Sequence, residues 1–180
     1  MTNATHRVLV LGVGNILFTD EGLGVRVIEK LLEDYDFPDN VTVMDGGTLG
    51  SKLMGPILDA DRLIVVDAVF GGDAPGSVYR LTGDDLRKSL AFKNSMHQTD
   101  LVDTLIHCGI VGNRPETCII GVEPQDLNTM AVELSPLIQQ KIPAVCAFVL
   151  DEILAAGGAF TLKEHTTGDS HVPRNPGQDN

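Results

Sequence analysis

Apolar and polar positions along the chain follow two alternating rhythms. Arg7–Leu11 (RVLVL) is a continuous run that ends in Gly12-Val13-Gly14-Asn15, the pattern of a strand buried on both faces. Leu23, Val27, Ile28, Leu31 and Leu32 then recur at helical spacing, which predicts an amphipathic helix from Gly22 to about Asp34. Phe37-Pro38-Asp39-Asn40 resets the chain, and Val41–Met44 makes a second strand closed by Asp45-Gly46-Gly47. A second helix is expected over residues 49–60, kinked or interrupted at Gly55-Pro56. Leu63–Val66 is a third strand ending at Asp67, and Ser77–Leu81 alternates after the turn residues Ala74-Pro75-Gly76 as an edge strand would. Thr99 is placed to N-cap a helix running to about Cys108, with Asp100 and Asp103 in its first turn. Cys118–Val122 forms a further strand, and Ser135-Pro136 opens a final long helix that Pro143 should bend.

Strands alternating with helices imply crossover connections, hence a single-domain α/β fold with a mostly parallel twisted sheet and helices on both faces. A length of 180 residues suits one such domain. With 43% hydrophobic residues but no Trp, the core must be built from Val, Leu and Ile. Near Gly157 the composition turns polar and rich in Gly and Pro, so residues 1–158 read as the folded domain and 159–180 as a loose, flexible C-terminal tail. His165 and His171 fall in that tail and read as solvated.

A formal net charge of −12 argues against nucleic acid and against anionic membrane surfaces, and favours a cation or a basic partner segment. No apolar run approaches the roughly 18 residues that span a bilayer. The opening MTNATHRVLVLG lacks a secretory pattern, so a cytoplasmic location is expected. Cys108, Cys118 and Cys146 have no metal-binding or redox spacing and read as reduced thiols without a role. Nothing suggests a coiled-coil or strand-exchange dimer, so a monomer is expected.

In an open parallel sheet, ligands bind beyond the carboxyl ends of the strands. Here those ends carry Gly12-Val13-Gly14-Asn15, Asp45-Gly46-Gly47 and Asp67, and Glu21 follows the first strand. Each acid alone has a bland explanation as a turn or helix-cap residue. Their convergence at one edge is what points to a site. His97 precedes a predicted helix, whose positive end disfavours imidazolium and keeps a neutral ring available as a ligand. A dinucleotide fingerprint is incomplete: Leu17 stands where the third glycine belongs, and Asp20 and Glu21 would repel a pyrophosphate. Neither HExxH nor GxSxG occurs.

Val8–Leu17 (VLVLGVGNIL), followed by Thr19-Asp20-Glu21-Gly22 and Gly24-Val25-Arg26, resembles the opening of the nickel-iron hydrogenase maturation endopeptidases. The resemblance continues in order through Asp45-Gly46-Gly47-Thr48, Leu63–Ala68, Ala74-Pro75-Gly76, His97-Gln98 and Gly121-Val122-Glu123-Pro124. It implies a metal-assisted or aspartic-type endopeptidase that clips a C-terminal extension from the hydrogenase large-subunit precursor once nickel is in place. It implies Glu21, Asp67 and His97 as metal ligands, and a part in activity for Asp45. Two carboxylates and an imidazole form a mixed O/N set suited to nickel or zinc, with coordination positions left over for a partner or water. Nickel is expected to arrive with the precursor, while zinc or another divalent ion can take the site in isolation. A Rossmann-like nucleotide-dependent enzyme and a non-catalytic nickel checkpoint or chaperone are the alternative readings.

Overall fold

The computed structural model describes residues 6–48, 50–83 and 96–164, with the side chains of 50, 51 and 96–102 excepted. Its centre is a sheet of five strands: β1 (Val8–Val13), β3 (Val41–Gly47), β4 (Arg62–Ala68), β5 (Val78–Thr82) and β6 (Glu116–Val122). β1 is buried along its whole length, and β4 and β6 are buried beyond their first residues. The pleat divides their side chains between two cores. Val8, Val10, Ile64, Val66, Ile120 and Val122 pack beneath α1 (Leu23–Asp34) and α4 (Pro136–Ala155). Leu9, Leu11, Leu63, Val65 and Ile119 pack beneath α2 (Met54–Asp59) and α3 (Met96–Val111). Continuous apolar runs are thus explained: each strand feeds a core on both faces.

The strand order is β3-β1-β4-β6-β5, parallel except for β5, which pairs antiparallel with β6 at the edge. From β1 the chain crosses through α1 to β3 on one side, then through α2 to β4 on the other. Reversal of direction under one crossover hand sends α1 and α2 to opposite faces. It also leaves a crevice between the carboxyl ends of β1 and β4, where neighbouring connections depart in opposite directions.

Glycine makes α1 sit very close to this crevice. A Cβ on Gly24 would fall 2.3 Å from the carbonyl oxygens of both Val13 and Val66, and one on Gly12 would fall 2.2 Å from the Gly24 carbonyl oxygen. Backbone lies on backbone, with no room for a side chain.

Several local expectations are corrected. β3 and β4 run on through Asp45-Gly46-Gly47 and Asp67, because ladder pairing continues past the last large apolar residue. A 3-10 turn, Thr19–Gly22, precedes α1. Pro56 does not kink a helix: a 3-10 turn (Gly50–Leu53) comes first, and Pro56 occupies the first turn of α2, where no N–H is needed. Thr99 is not an N-cap, since α3 already includes Met96 and His97.

Beyond residue 158 the chain stays attached for a few residues. β7 (Thr161–Leu162) pairs antiparallel with β2 (Tyr35–Asp36), and the Lys163 N–H donates to the Asp34 carbonyl at 2.7 Å. The remainder of the expected tail, 165–180, lies outside the described residues, as do both of its histidines. Among the described residues no helix is long and apolar enough to cross a membrane.

Gly24→Ala is expected to lower the unfolding free energy by about 3 kcal/mol, the upper range for overpacking. Gly109→Ala, inside α3 with only ordinary contacts to Arg114, should raise it by roughly 0.5–1 kcal/mol. Urea denaturation of both variants checks the contrast.

Candidate active site

The crevice between β1 and β4 is built from three loops. After β1, Gly14 takes φ +141°, and a Cβ there would lie 1.8 Å from the Glu21 carbonyl oxygen. Only glycine allows the 3-10 turn bearing Glu21 to fold back on the strand end. The Gly14 N–H donates to the Gly47 carbonyl at 3.0 Å, which joins the loops after β1 and β3. Glu21 is half-buried and precedes by three residues the glycine pressed against the Val66 carbonyl. Asp67, buried, is the residue after Val66. Glu21 and Asp67 therefore leave the backbone on either side of one close contact.

Pleat parity places Asp67 on the face of Val65, the face covered by α3. The far end of α3 lies at the opposite edge, where the Asn113 side-chain amide donates to the Leu58 and Ala60 carbonyls at 2.9 Å each. At about 1.5 Å per residue, α3 climbs roughly 20 Å from Val111 back to His97. β4 rises by a similar amount, roughly 20 Å at about 3.3 Å per residue. The first turn of α3, with the backbone of His97, is thereby carried toward the edge where Asp67 lies near the carboxyl end of β4. The imidazole lies outside the described side chains. Among the described residues there is no group of three His, Cys, Asp or Glu side chains arranged to hold a metal.

Asp45 stands apart from the other candidates. It pairs with Gly12 in register, on the outermost strand, and its pleat parity directs it to the face of α1. It is exposed, and its Oδ1 accepts the Gly47 N–H at 2.7 Å, fixing the Gly46-Gly47 turn.

Two acids that sequence reasoning gave no supporting role are buried beside this crevice. Asp20 is fully buried, and its Oδ2 accepts from the Gln125 and Asp126 N–H groups and the Ser135 hydroxyl, each at 2.9 Å. Its Oδ1 accepts the Ser135 N–H at 2.8 Å. Four donors compensate a charge whose unpaired burial would be prohibitive. Ser135 consequently leaves its N-cap position on α4 without a side-chain cap bond. Glu123, also buried, accepts with one oxygen, Oε2, from the Gly71 and Gly72 N–H groups at 2.7 and 3.0 Å and from the Tyr79 hydroxyl at 2.6 Å. Burial, reinforced by Glu123, raises the Tyr79 phenol well above its usual range, so it keeps the proton it donates. No signal in the chain marks these partners, which lie up to 115 residues away.

Thr19 carries the strain of the turn, with φ +26°. Its hydroxyl donates to the Thr129 carbonyl at 2.6 Å and its N–H to the Ala131 carbonyl at 2.9 Å, so the 125–135 connection holds it there. The glycine loop is filled by its own chain: Gly12, Gly14 and Gly24 each meet backbone atoms at under 2.5 Å if given a Cβ.

The cysteines stay outside the chemistry. All three are buried and free. Burial, with Glu152 nearby, pushes the Cys118 thiol up to about 12, and burial, with Asp34 nearby, pushes Cys146 up to about 11. Both are protonated and unreactive at neutral pH. A disulfide reagent at pH 8 should label no cysteine in the native protein and all three in denaturant. Rapid labelling of the native chain would contradict the burial described.

The sequence profile of the hydrogenase maturation protease family matches residues 25–152. The hydrogenase 2 maturation protease of Escherichia coli K12 is 38% identical over 170 residues, covering 93% of this chain and 96% of its own length. The hydrogenase expression/formation protein HoxM of Azotobacter vinelandii is 43% identical over 168 residues, covering 92% of this chain and 81% of its own. The solved structure of the hydrogenase maturating endopeptidase HybD from E. coli superposes with a TM-score of 0.82 at 36% identity, covering 87% of this chain and 98% of that one.

Proposed function

The chain belongs to the hydrogenase maturation protease family and is a hydrolase of that kind; from that premise we propose that it removes a C-terminal extension from the nickel-loaded precursor of a hydrogenase large subunit. What supports this reading is the closeness of two elements at one crevice, with a third rising toward the same edge of the sheet. The turn bearing Glu21 and the end of β4 bearing Asp67 flank a single backbone contact, and α3 brings its first turn, with His97, toward the same edge.

Glu21, Asp67 and His97 are the ligands in this proposal. Two carboxylates balance a divalent charge, and the imidazole adds the nitrogen that nickel and zinc favour over magnesium or calcium. Nickel enters as part of the substrate, already held by the precursor, and when shared with this site it supplies Lewis acidity toward a carbonyl or a water. Three protein ligands leave room for the precursor's own donors.

Asp45 supplies the remaining chemistry in this reading. Exposed at the same edge, it orients or deprotonates the attacking water as general base. Its bond to Gly47 fixes the carboxylate against the turn and keeps it from rotating freely. The two-strand separation between Asp45 and Asp67, roughly 10 Å, gives a substrate segment room to lie along the edge between them. Ile16, Leu17, Phe70 and Met130 are exposed on the flanking loops, as a surface that receives a protein would be.

Incubation with nickel-loaded precursor followed by intact-mass spectrometry tests the proposal. The expected result is a large subunit shortened at its C-terminus, with nickel-free precursor left whole. Asp67→Ala and His97→Ala should lower processing by about a hundredfold or more while circular dichroism stays native. Full processing by both variants would remove the metal from the account, and binding without shortening would favour a nickel checkpoint.

A further inference from the structure

Glu123 and Asp126 are the two ends of one short segment, Glu123-Pro124-Gln125-Asp126, which leaves the carboxyl end of β6. This segment touches both halves of the crevice. On one side, the Glu123 carboxylate takes the N–H groups of Gly71 and Gly72 in the loop that follows Asp67. Main-chain bonds reinforce the same junction: the Gly76 N–H donates to the Glu123 carbonyl, and the Glu123 N–H to the Ser77 carbonyl, both at 2.8 Å. On the other side, the N–H groups of Gln125 and Asp126 converge on Oδ2 of Asp20, next to Glu21, and the Asp20 N–H returns to the Asp126 carbonyl at 3.1 Å. Only Pro124 separates the two junctions, and its ring fixes φ between them.

We propose that this segment is a yoke, and that Asp20 and Glu123 are positioning residues that fix the spacing of Glu21 and Asp67 without touching the substrate. Neither carboxylate is available as a ligand, because each is buried and occupied by donors from the yoke or the loops it holds. Their charge serves geometry. A carboxylate collects several N–H donors at one point, which a neutral side chain of the same size does less completely. In Asp20 both oxygens accept, so an amide in its place would face the Ser135 N–H with its own NH2. In Glu123 all three described bonds go to one oxygen, so an amide can turn its carbonyl oxygen into that place. The two positions should therefore answer differently to the same chemical change.

The yoke's effect on turnover rests on the reading of Glu21 and Asp67 as ligands, but its mechanical coupling is measurable without catalysis. Amide hydrogen exchange by NMR on Asp20→Asn should accelerate Gly71 and Gly72, on the opposite loop, by about tenfold or more, although their own acceptor is intact. Glu123→Ala should do the same to Gln125 and Asp126, while Glu123→Gln leaves them near wild type. Core amides of β1 and β4 report that the fold is retained. If Asp20→Asn does not fold, Ser135→Ala removes one hydroxyl donor and leaves the other three bonds. In precursor processing, Asp20→Asn and Glu123→Ala should lose about tenfold or more in kcat with KM within about twofold, and Glu123→Gln should restore the rate. Loosening confined to the substituted loop, or unchanged kcat in variants where Asp67→Ala abolishes processing, would overturn the yoke. If the wild-type chain leaves the precursor whole, the functional reading fails, and the exchange measurement still decides the coupling.

Discussion

Where α1 meets the sheet, main chain rests directly on main chain. Gly24 lies against the carbonyls of Val13 and Val66, Gly12 against that of Gly24, and Gly14 against that of Glu21. This contact sets how deep the first helix settles over the crevice between β1 and β4, and hence how close the turn before it comes to the end of β4. A helix lifted by the width of a methyl group would carry Glu21 away from Asp67 and open the strand ends to water. The apolar stripe of Leu23, Val27, Ile28 and Leu31 holds the helix down, each buried side chain contributing about 1.5–3 kcal/mol, while the glycines determine where it stops.

Acidic residues divide into two kinds around that contact. Asp20 and Glu123 are buried and surrounded by N–H and O–H donors, so their charge is consumed in holding loops together. Glu21 is half-buried and Asp45 exposed, both at the edge where a ligand would approach. Neighbouring residues in the chain, Asp20 and Glu21, thus differ in setting: one turns inward as a fastener, the other is half-buried at the strand-end edge. The strain stored at Thr19 between strand and turn is tolerated because the 125–135 connection holds that residue by hydroxyl and amide alike.

Most of the architecture can be read in the chain because its strands are buried on both faces, so the apolar runs Val8–Leu11, Leu63–Val66 and Cys118–Ile120 stand out within β1, β4 and β6. The helical stripe of α1 and Pro136 at the start of α4 are equally plain. What escaped notice depends on pairing at a distance. β2 and β7 are two residues each and polar enough to resemble loop, yet they pin the chain after α4 to the end of α1. Thr99 has the chemistry of a cap but lies inside a helix that already includes Met96. Of the candidate site residues, Glu21, Asp45 and Asp67 were visible as acids near strand ends, whereas the inward turn of Asp20 was not, since its donors at 125, 126 and 135 belong to another part of the sequence. Glu123 was visible only within the segment Gly121-Val122-Glu123-Pro124 that carries part of the family resemblance, with nothing to indicate that it would grip Gly71, Gly72 and Tyr79.

The central claim is spatial: carboxylates from a turn and a strand end, and an imidazole from the start of a helix, share one ion. Anomalous diffraction at the nickel edge, on crystals soaked with excess Ni2+, tests it directly. The account predicts a peak at the crevice between β1 and β4, at about 2.1 Å from oxygen atoms of Glu21 and Asp67 and a nitrogen of His97. A nickel peak held by other residues, with His97 turned away from Asp67, would contradict it.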